Sequence, residues 1–259
     1  MTLLSLPAGL LGMLVGSFLN VVVWRVPRGE SVASPPSACP RCGKAIRPRD
    51  NVPVLSWLLL KGKCRDCSEP ISARYPLVEL GTGVRFAVMA LRFGFDPVLP
   101  AYLYLAAVGL ALALIDLDVR RLPDVLTLPS YPVVGALLGV AALTGSDGGD
   151  FLRALLGGAA MFAFYFALCF AYPAGMGFGD VKLSGVLGLA TAWVGWGAWS
   201  VGLFGGFLFG GVWGIGLILA KKGGRKSKVP FGPFMLAGAL LGILAGQDLF
   251  DAYRSLTIG

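Results

Sequence analysis

The chain has 259 residues, of which 56% are hydrophobic and only 14% charged. A water-soluble domain carries about 25% charged residues, so this composition excludes a soluble globular enzyme and points to an all-α protein crossing a membrane many times. The net charge of +8 calls for no nucleic-acid partner, because basic loops beside apolar spans and anionic headgroups account for it. The absence of histidine excludes Ser-His and Cys-His catalysis and any His-ligated metal.

At about 20 residues per crossing, the apolar runs place eight transmembrane helices at 3–24, 76–94, 98–115, 125–143, 151–172, 183–199, 200–220 and 231–249. The first run has no Lys or Arg ahead of it, and Arg25 and Arg28 follow it, so it is expected to be retained rather than cleaved as a signal peptide. The polar segment 25–75 then holds Cys39-x-x-Cys42 and Cys64-x-x-Cys67, separated by 21 residues. Four thiolates at this spacing can close a tetrahedral zinc site, and Gly43 and Ser68 supply the turn residues of zinc-ribbon knuckles. Four ligands leave no position for a catalytic water, so such a zinc is structural; redox or unrelated pairing is the other reading of these cysteines. Cys169 lies among Phe and Leu inside a run and reads as a packed apolar residue.

In the second run, Glu79 follows Pro76 and suits the start of a helix, whereas Arg85 falls near mid-span and calls for a buried partner. Two acidic breaks follow, DLDVRRLPD (116–124) and GMGFGD (175–180). An acid beside the bilayer is costly and is a functional candidate. Asp124, after Pro123, suits helix capping, and Asp118 sits further into the polar turn beside Arg120 and Arg121. Asp116 adjoins the apolar ALALI and is the best partner for Asp180. The bland reading of GMGFGD is a flexible turn whose Asp caps a helix; the functional one is that Gly175, Gly177 and Gly179 give room for unusual backbone or close approach by an extended peptide.

Further on, Gly202, Gly206, Gly210 and Gly214 form a stripe for close helix packing. Trp193, Trp196 and Trp199 read as an interfacial belt. Segment 25–75 contains ten Lys or Arg and 221–230 five, while the alternate connections are nearly bare. Positive loops stay in the cytoplasm, so the N-terminus is expected outside, with both aspartates and the cysteine loop on the cytoplasmic side. The chain thus divides into a first helix (1–24), a cysteine loop (25–75) and a multi-helix membrane part (76–259). Two carboxyls sharing one site hold one proton between them, which is the chemistry of an aspartyl protease dyad.

GMGFGDVKL (175–183) and IDLDVRRLPD (115–124), with GSFLNVVVWRVPRGES (16–31), SARYPLVEL (72–80) and VPFGPFM (229–235), resemble the type IV prepilin peptidases, GxGD-type aspartyl proteases of bacterial membranes. By motif the resemblance assigns catalysis to Asp180 and to Asp116, eight residues before the Asp of the Pro-Asp pair. It implies a prepilin or pseudopilin substrate, cut after the Gly that ends a short basic leader, in the bacterial inner membrane. It also implies N-methylation of the new N-terminus from S-adenosylmethionine, an activity associated with the four-cysteine form of the loop. Glu79 and Arg74 are weak candidates for that half, and no glycine-rich nucleotide-binding pattern supports it. Two rivals are a proton- or cation-coupled transporter, which needs acids near mid-span, and a non-catalytic assembly factor, in which Asp→Asn changes leave function intact.

Overall fold

Backbone polar groups inside a bilayer must bond within their own segment, and this chain meets that demand with helices. The computed structural model describes residues 2–145, 148–173, 175–220 and 229–257. Ten α-helices occur among them: α1 (Thr2–Arg25), α2 (Leu55–Leu59), α3 (Arg74–Phe93), α4 (Leu99–Val119), α5 (Asp124–Thr144), α6 (Gly148–Ala171), α7 (Phe178–Val194), α8 (Trp196–Leu219), α9 (Gly232–Leu241) and α10 (Gln247–Thr257). A π-helical turn, Gly242–Gly246, joins the last two. No strand occurs among the described residues, only isolated bridges pairing Ala38 with Ala45 and Lys63 with Pro70.

Every expected span is met by a long helical segment, and six of these are long and apolar enough to cross a membrane. The other two are α3, which carries Arg74, Glu79, Arg85 and Arg92, and α7, which has 17 residues. The basic segment at 221–228 lies outside the described residues. The break between the sixth and seventh spans falls at Gly195, not at 199–200. An apolar stretch with no polar interruption hid that boundary.

Two compact units form, Met1–Ala111 and Leu112–Gly259. In the first, α1 lies along α3 at very short range. A Cβ on Gly12 would meet the Phe86 side chain and the Thr82 carbonyl at 2.8 Å, and one on Gly16 would lie 2.7 Å from the Glu79 Cα. Glycines four apart open the groove that lets two backbones touch. Asn20 donates to the Tyr75 carbonyl at 3.2 Å, which fixes the register of this pair.

The second unit is built around α7, which is buried along most of its length. Its Gly188 faces Gly157 and Gly158 of α6, while Gly185 makes room for the Tyr131 ring of α5. Arg153 donates from Nε to the Ala192 carbonyl at 2.7 Å and also reaches the Trp193 carbonyl, covering carbonyls that the end of α7 leaves unpaired. The α8 stripe is used only in part. Gly202 and Gly206 meet Ala239 and Met235 of α9, joined by Gly205 against Gly238, while Gly214 touches nothing within 4 Å. The tryptophan belt needs a larger correction. Trp193 is buried, Trp196 is exposed, and Trp199 donates to the Gly157 carbonyl at 2.9 Å. A regular Trp spacing thus spans a helix break that turns the three rings to different surroundings.

Candidate active site and metal centre

Asp116 sits in the last turn of α4, because that helix runs on to Val119 past the expected end. Its backbone carbonyl accepts from the Arg120 N–H at 2.8 Å, and Arg120 takes a left-handed conformation with φ 54° that ends the helix. Buried to 5% exposure, the Asp116 carboxylate accepts from the Gly232 N–H at 3.1 Å. Position 232 has to be glycine for this, since a Cβ there would lie 2.8 Å from Asp116 Oδ2.

Asp180 occupies the first turn of α7 and is 9% exposed. Its carboxylate reaches back to accept from the Gly177 N–H at 3.2 Å, in the manner of the acidic half of a capping box. So the capping role and the site position coexist. Neither Gly175, Gly177 nor Gly179 has positive φ; Gly177 is ordinary extended backbone. What two of them provide is room, for the Tyr172 ring at Gly175 and for Leu122 at Gly179.

The second unit brings the two acids to one place. Leu122 lies against both Gly179 and Gly232, the neighbours of the two carboxylates. Asp116 and Asp180 lie within electrostatic range of each other, as do Asp180 and Tyr165. Tyr165 stacks on Phe207 with centroids 5.5 Å apart, and Phe207 packs on Phe231 at 5.3 Å, next in the chain to Gly232. Two desolvated carboxyls flanked by an aromatic wall can share a proton and act as an acid–base pair. Asp118 is exposed and stands apart from this burial.

Asp124 does not cap α5. Its carboxylate holds Lys182 Nζ through both oxygens, at 2.8 and 2.7 Å. Tyr131 donates to the Lys182 carbonyl at 2.6 Å, and Lys182 also lies over the Phe178 ring at 5.2 Å. Helix α5 thereby grips the first turn of α7, two residues from Asp180. Sequence reasoning missed this clamp, although Pro-Asp and Asp-x-Lys were both visible. Lys182→Met is expected to lower turnover roughly tenfold or more through loss of positioning with KM little changed. The double exchange Asp124→Lys with Lys182→Asp should recover part of it, read as kcat and KM of peptide cleavage.

In the first unit the two Cys-x-x-Cys turns are near copies. Gly43 N–H bonds the Cys39 carbonyl at 2.9 Å and Ser68 N–H the Cys64 carbonyl at 2.9 Å. Gly43 and Ser68 share left-handed φ values of 71° and 58°. All four sulfurs lie within 4.8 Å of one another, and Cys39 Sγ is 3.7 Å from Cys67 Sγ. Tetrahedral zinc with Zn–S near 2.3 Å would hold its sulfurs about 3.8 Å apart, so the donor set fits a metal ion. The thiols cannot share negative charge unaided. Backbone N–H groups of Cys42 and Arg41 lower Cys39 to about 7. Cys67, despite the Glu69 backbone, is pushed up to about 12 by desolvation and its three sulfur neighbours. Around the cluster, Arg65 clasps Asp50 at 2.6 to 3.0 Å, holding the Asp50 carboxyl below its ordinary range, and Asp66 takes Lys44 and Arg47.

Glu79 is buried, and its carboxylate accepts from the Val54 N–H at 2.7 Å, which ties the cysteine loop to α3. Arg74 opens α3. Arg85 is half-buried, and no partner for it lies among the described residues.

Residues 10–93 match the bacterial peptidase A24 N-terminal domain and residues 103–215 the type IV leader peptidase family. Proteins named prepilin leader peptidase/N-methyltransferase are similar over nearly the whole chain. The one from Aeromonas hydrophila is 37% identical, covering 94% of this chain and 91% of its own length. That from Pseudomonas aeruginosa is 35% identical over the same shares, and that from Neisseria gonorrhoeae 37% over 95% and 92%. No solved structure matches. With this coverage and these two matched regions, the chain belongs to the type IV leader peptidase family of multi-pass bacterial membrane proteins.

Proposed function

We propose that this protein is an aspartyl endopeptidase that removes the leader of type IV prepilins or pseudopilins, with Asp116 and Asp180 as its dyad. The observation that carries this reading is the burial of two carboxyls, from α4 and α7, within electrostatic range of each other, with Leu122 packed against the glycine neighbour of each. One carboxylate takes a proton from water, the water oxygen attacks the carbonyl carbon of the leader Gly, and the protonated partner polarises that carbonyl. Collapse of the tetrahedral intermediate breaks the C–N bond and returns the proton to the leaving amine. The many lysines and arginines of 25–75 and 221–230 support a cytoplasmic site and cysteine loop, where a basic leader would remain while the apolar helix of the substrate lies among the spans.

The cysteine cluster would hold a structural zinc through Cys39, Cys42, Cys64 and Cys67. The relatives' names include N-methyltransferase, and by the family resemblance the methyl group would come from S-adenosylmethionine and go to the freed amine. The test is incubation of purified protein in lipid nanodiscs with a pilin-type precursor, with and without S-adenosylmethionine, followed by product mass. Leader loss is expected in both, and the mass of one added methyl only with the donor. No cleavage would overturn the peptidase reading, and cleavage without methyl gain would overturn the second activity alone.

A further inference from the structure

Helix α2 is short, tightly held and apolar on its outer side. Leu55, Leu58 and Leu59 are 52%, 58% and 73% exposed, with Val52 beside them. Its inner side is fastened at several points. Ser56 is buried and its hydroxyl accepts from the Val52 N–H and donates to the Arg49 carbonyl. Trp57 donates to the Ile71 carbonyl at 3.0 Å and lies flat against Gly62. At its start Val54 is forced to φ 60°, with its N–H on Glu79. At its end Lys61, at φ 53°, and Gly62, at φ 67°, turn the chain so that Lys61 and Lys63 flank the leucines, both exposed. Left-handed valine and lysine are strained and persist only where the surroundings over-determine them, so the leucines are presented outward rather than left loose.

The depth of this helix can be read from α3. Tyr75 and Trp24 are exposed aromatics at the start of α3 and the end of α1, and the Arg28 guanidinium lies 3.6 Å over the Trp24 ring. Such aromatics mark the headgroup level of a spanning pair. Glu79 lies four residues beyond Tyr75, about 6 Å further into the bilayer at 1.5 Å per residue. A helix whose first turn is bonded to Glu79 therefore sits at or just below the headgroups.

We infer that α2 is an interfacial anchor. Leu55, Leu58 and Leu59 insert among the acyl chains of the leaflet on the cysteine-loop side, and Lys61 and Lys63 take anionic phospholipid headgroups. A lipid surface fits better than a protein partner, because both ends of the loop are fixed to spanning helices and two exposed lysines, Lys61 and Lys63, follow the apolar face at its C-terminal end. The anchor is independent of the aspartyl site and would hold the metal knuckles against the membrane.

The full chain, reconstituted in nanodiscs of phosphatidylcholine with phosphatidylglycerol, would be irradiated with a diazirine-bearing phosphatidylglycerol and the labelled peptides mapped. Labelling of 52–63 comparable to that of lipid-facing Leu77 and Leu80, with the Cys39–Cys42 turn unlabelled, is the expected result. Lys61→Gln with Lys63→Gln should lower the preference for phosphatidylglycerol over phosphatidylcholine about fivefold or more, and Leu58→Glu with Leu59→Glu should remove the labelling. If 52–63 stays unlabelled in the wild-type chain while α3 is labelled, or crosslinks to a second copy instead, the anchor does not exist. Because the wild-type result decides by itself, a misfolded variant cannot rescue or sink the inference.

Discussion

Gly232→Val is expected to abolish leader cleavage while leaving the helices folded. The Gly232 N–H is the donor that holds Asp116, and any Cβ would approach Asp116 Oδ2 to 2.8 Å and the Leu122 methyls to 3.3 Å. All the atoms it meets belong to side chains, so the helix can persist while the carboxylate and Leu122 are driven aside. Displacing a reacting group by about 1 Å costs on the order of 10²-fold in rate, and two further methyls leave less room still. Cleavage rate and thermal transition, measured on the same sample, separate the outcomes: a lost rate with a retained transition is expected. A wild-type rate in Gly232→Val would remove the Asp116–Gly232 contact from the site.

Cys42→Ser is expected to release the metal and unfold the loop. The four sulfurs converge within 4.8 Å, but the loop around them buries little, with Ser56 its one buried side chain between 29 and 60 among the described residues. A structural zinc contributes roughly 10–16 kcal/mol to small folds of this kind, far more than the exposed ion pairs nearby can replace. Metal content should fall from about one zinc per chain to none, and proteolysis should open between 29 and 73. Methyl transfer is expected to fall more than cleavage, since both aspartates belong to the other unit. Retained metal in Cys42→Ser, or wild-type protein that never carries any, would remove the zinc assignment.

Much of the membrane architecture was legible because hydrophobic length decides it. Eight apolar runs became long helices, and the cysteine pairs met at the spacing their knuckles imply. Boundaries were not legible where composition is uniform, as at Gly195, nor where a helix continues into polar sequence, as α4 does past Asp116 to Val119. The aspartates could be named from their place beside apolar runs. Their supports could not, because they come from sites distant in sequence: Gly232 is 116 residues from Asp116, and Lys182 is 58 from Asp124. Asp124 is the instructive miss. Local rules favoured a cap, and the long-range pairing to Lys182 took the carboxylate instead. Trp193 is similar, since periodicity suggested an interfacial belt while packing within the second unit buries it.

Cleavage of a pilin-type precursor by wild type, Asp116→Asn, Asp180→Asn and Asp118→Asn, each purified and shown to be folded, tests the central claim most directly. Each change keeps the size of the side chain and removes its charge. Loss of about 10³-fold or more is expected for the first two, with the double variant scarcely worse than either alone, because members of one catalytic unit are not additive; Asp118→Asn should cut at close to the wild-type rate. Persistent cleavage by Asp116→Asn or Asp180→Asn would contradict the dyad, and loss confined to Asp118→Asn would move the reaction out of the buried site between α4 and α7.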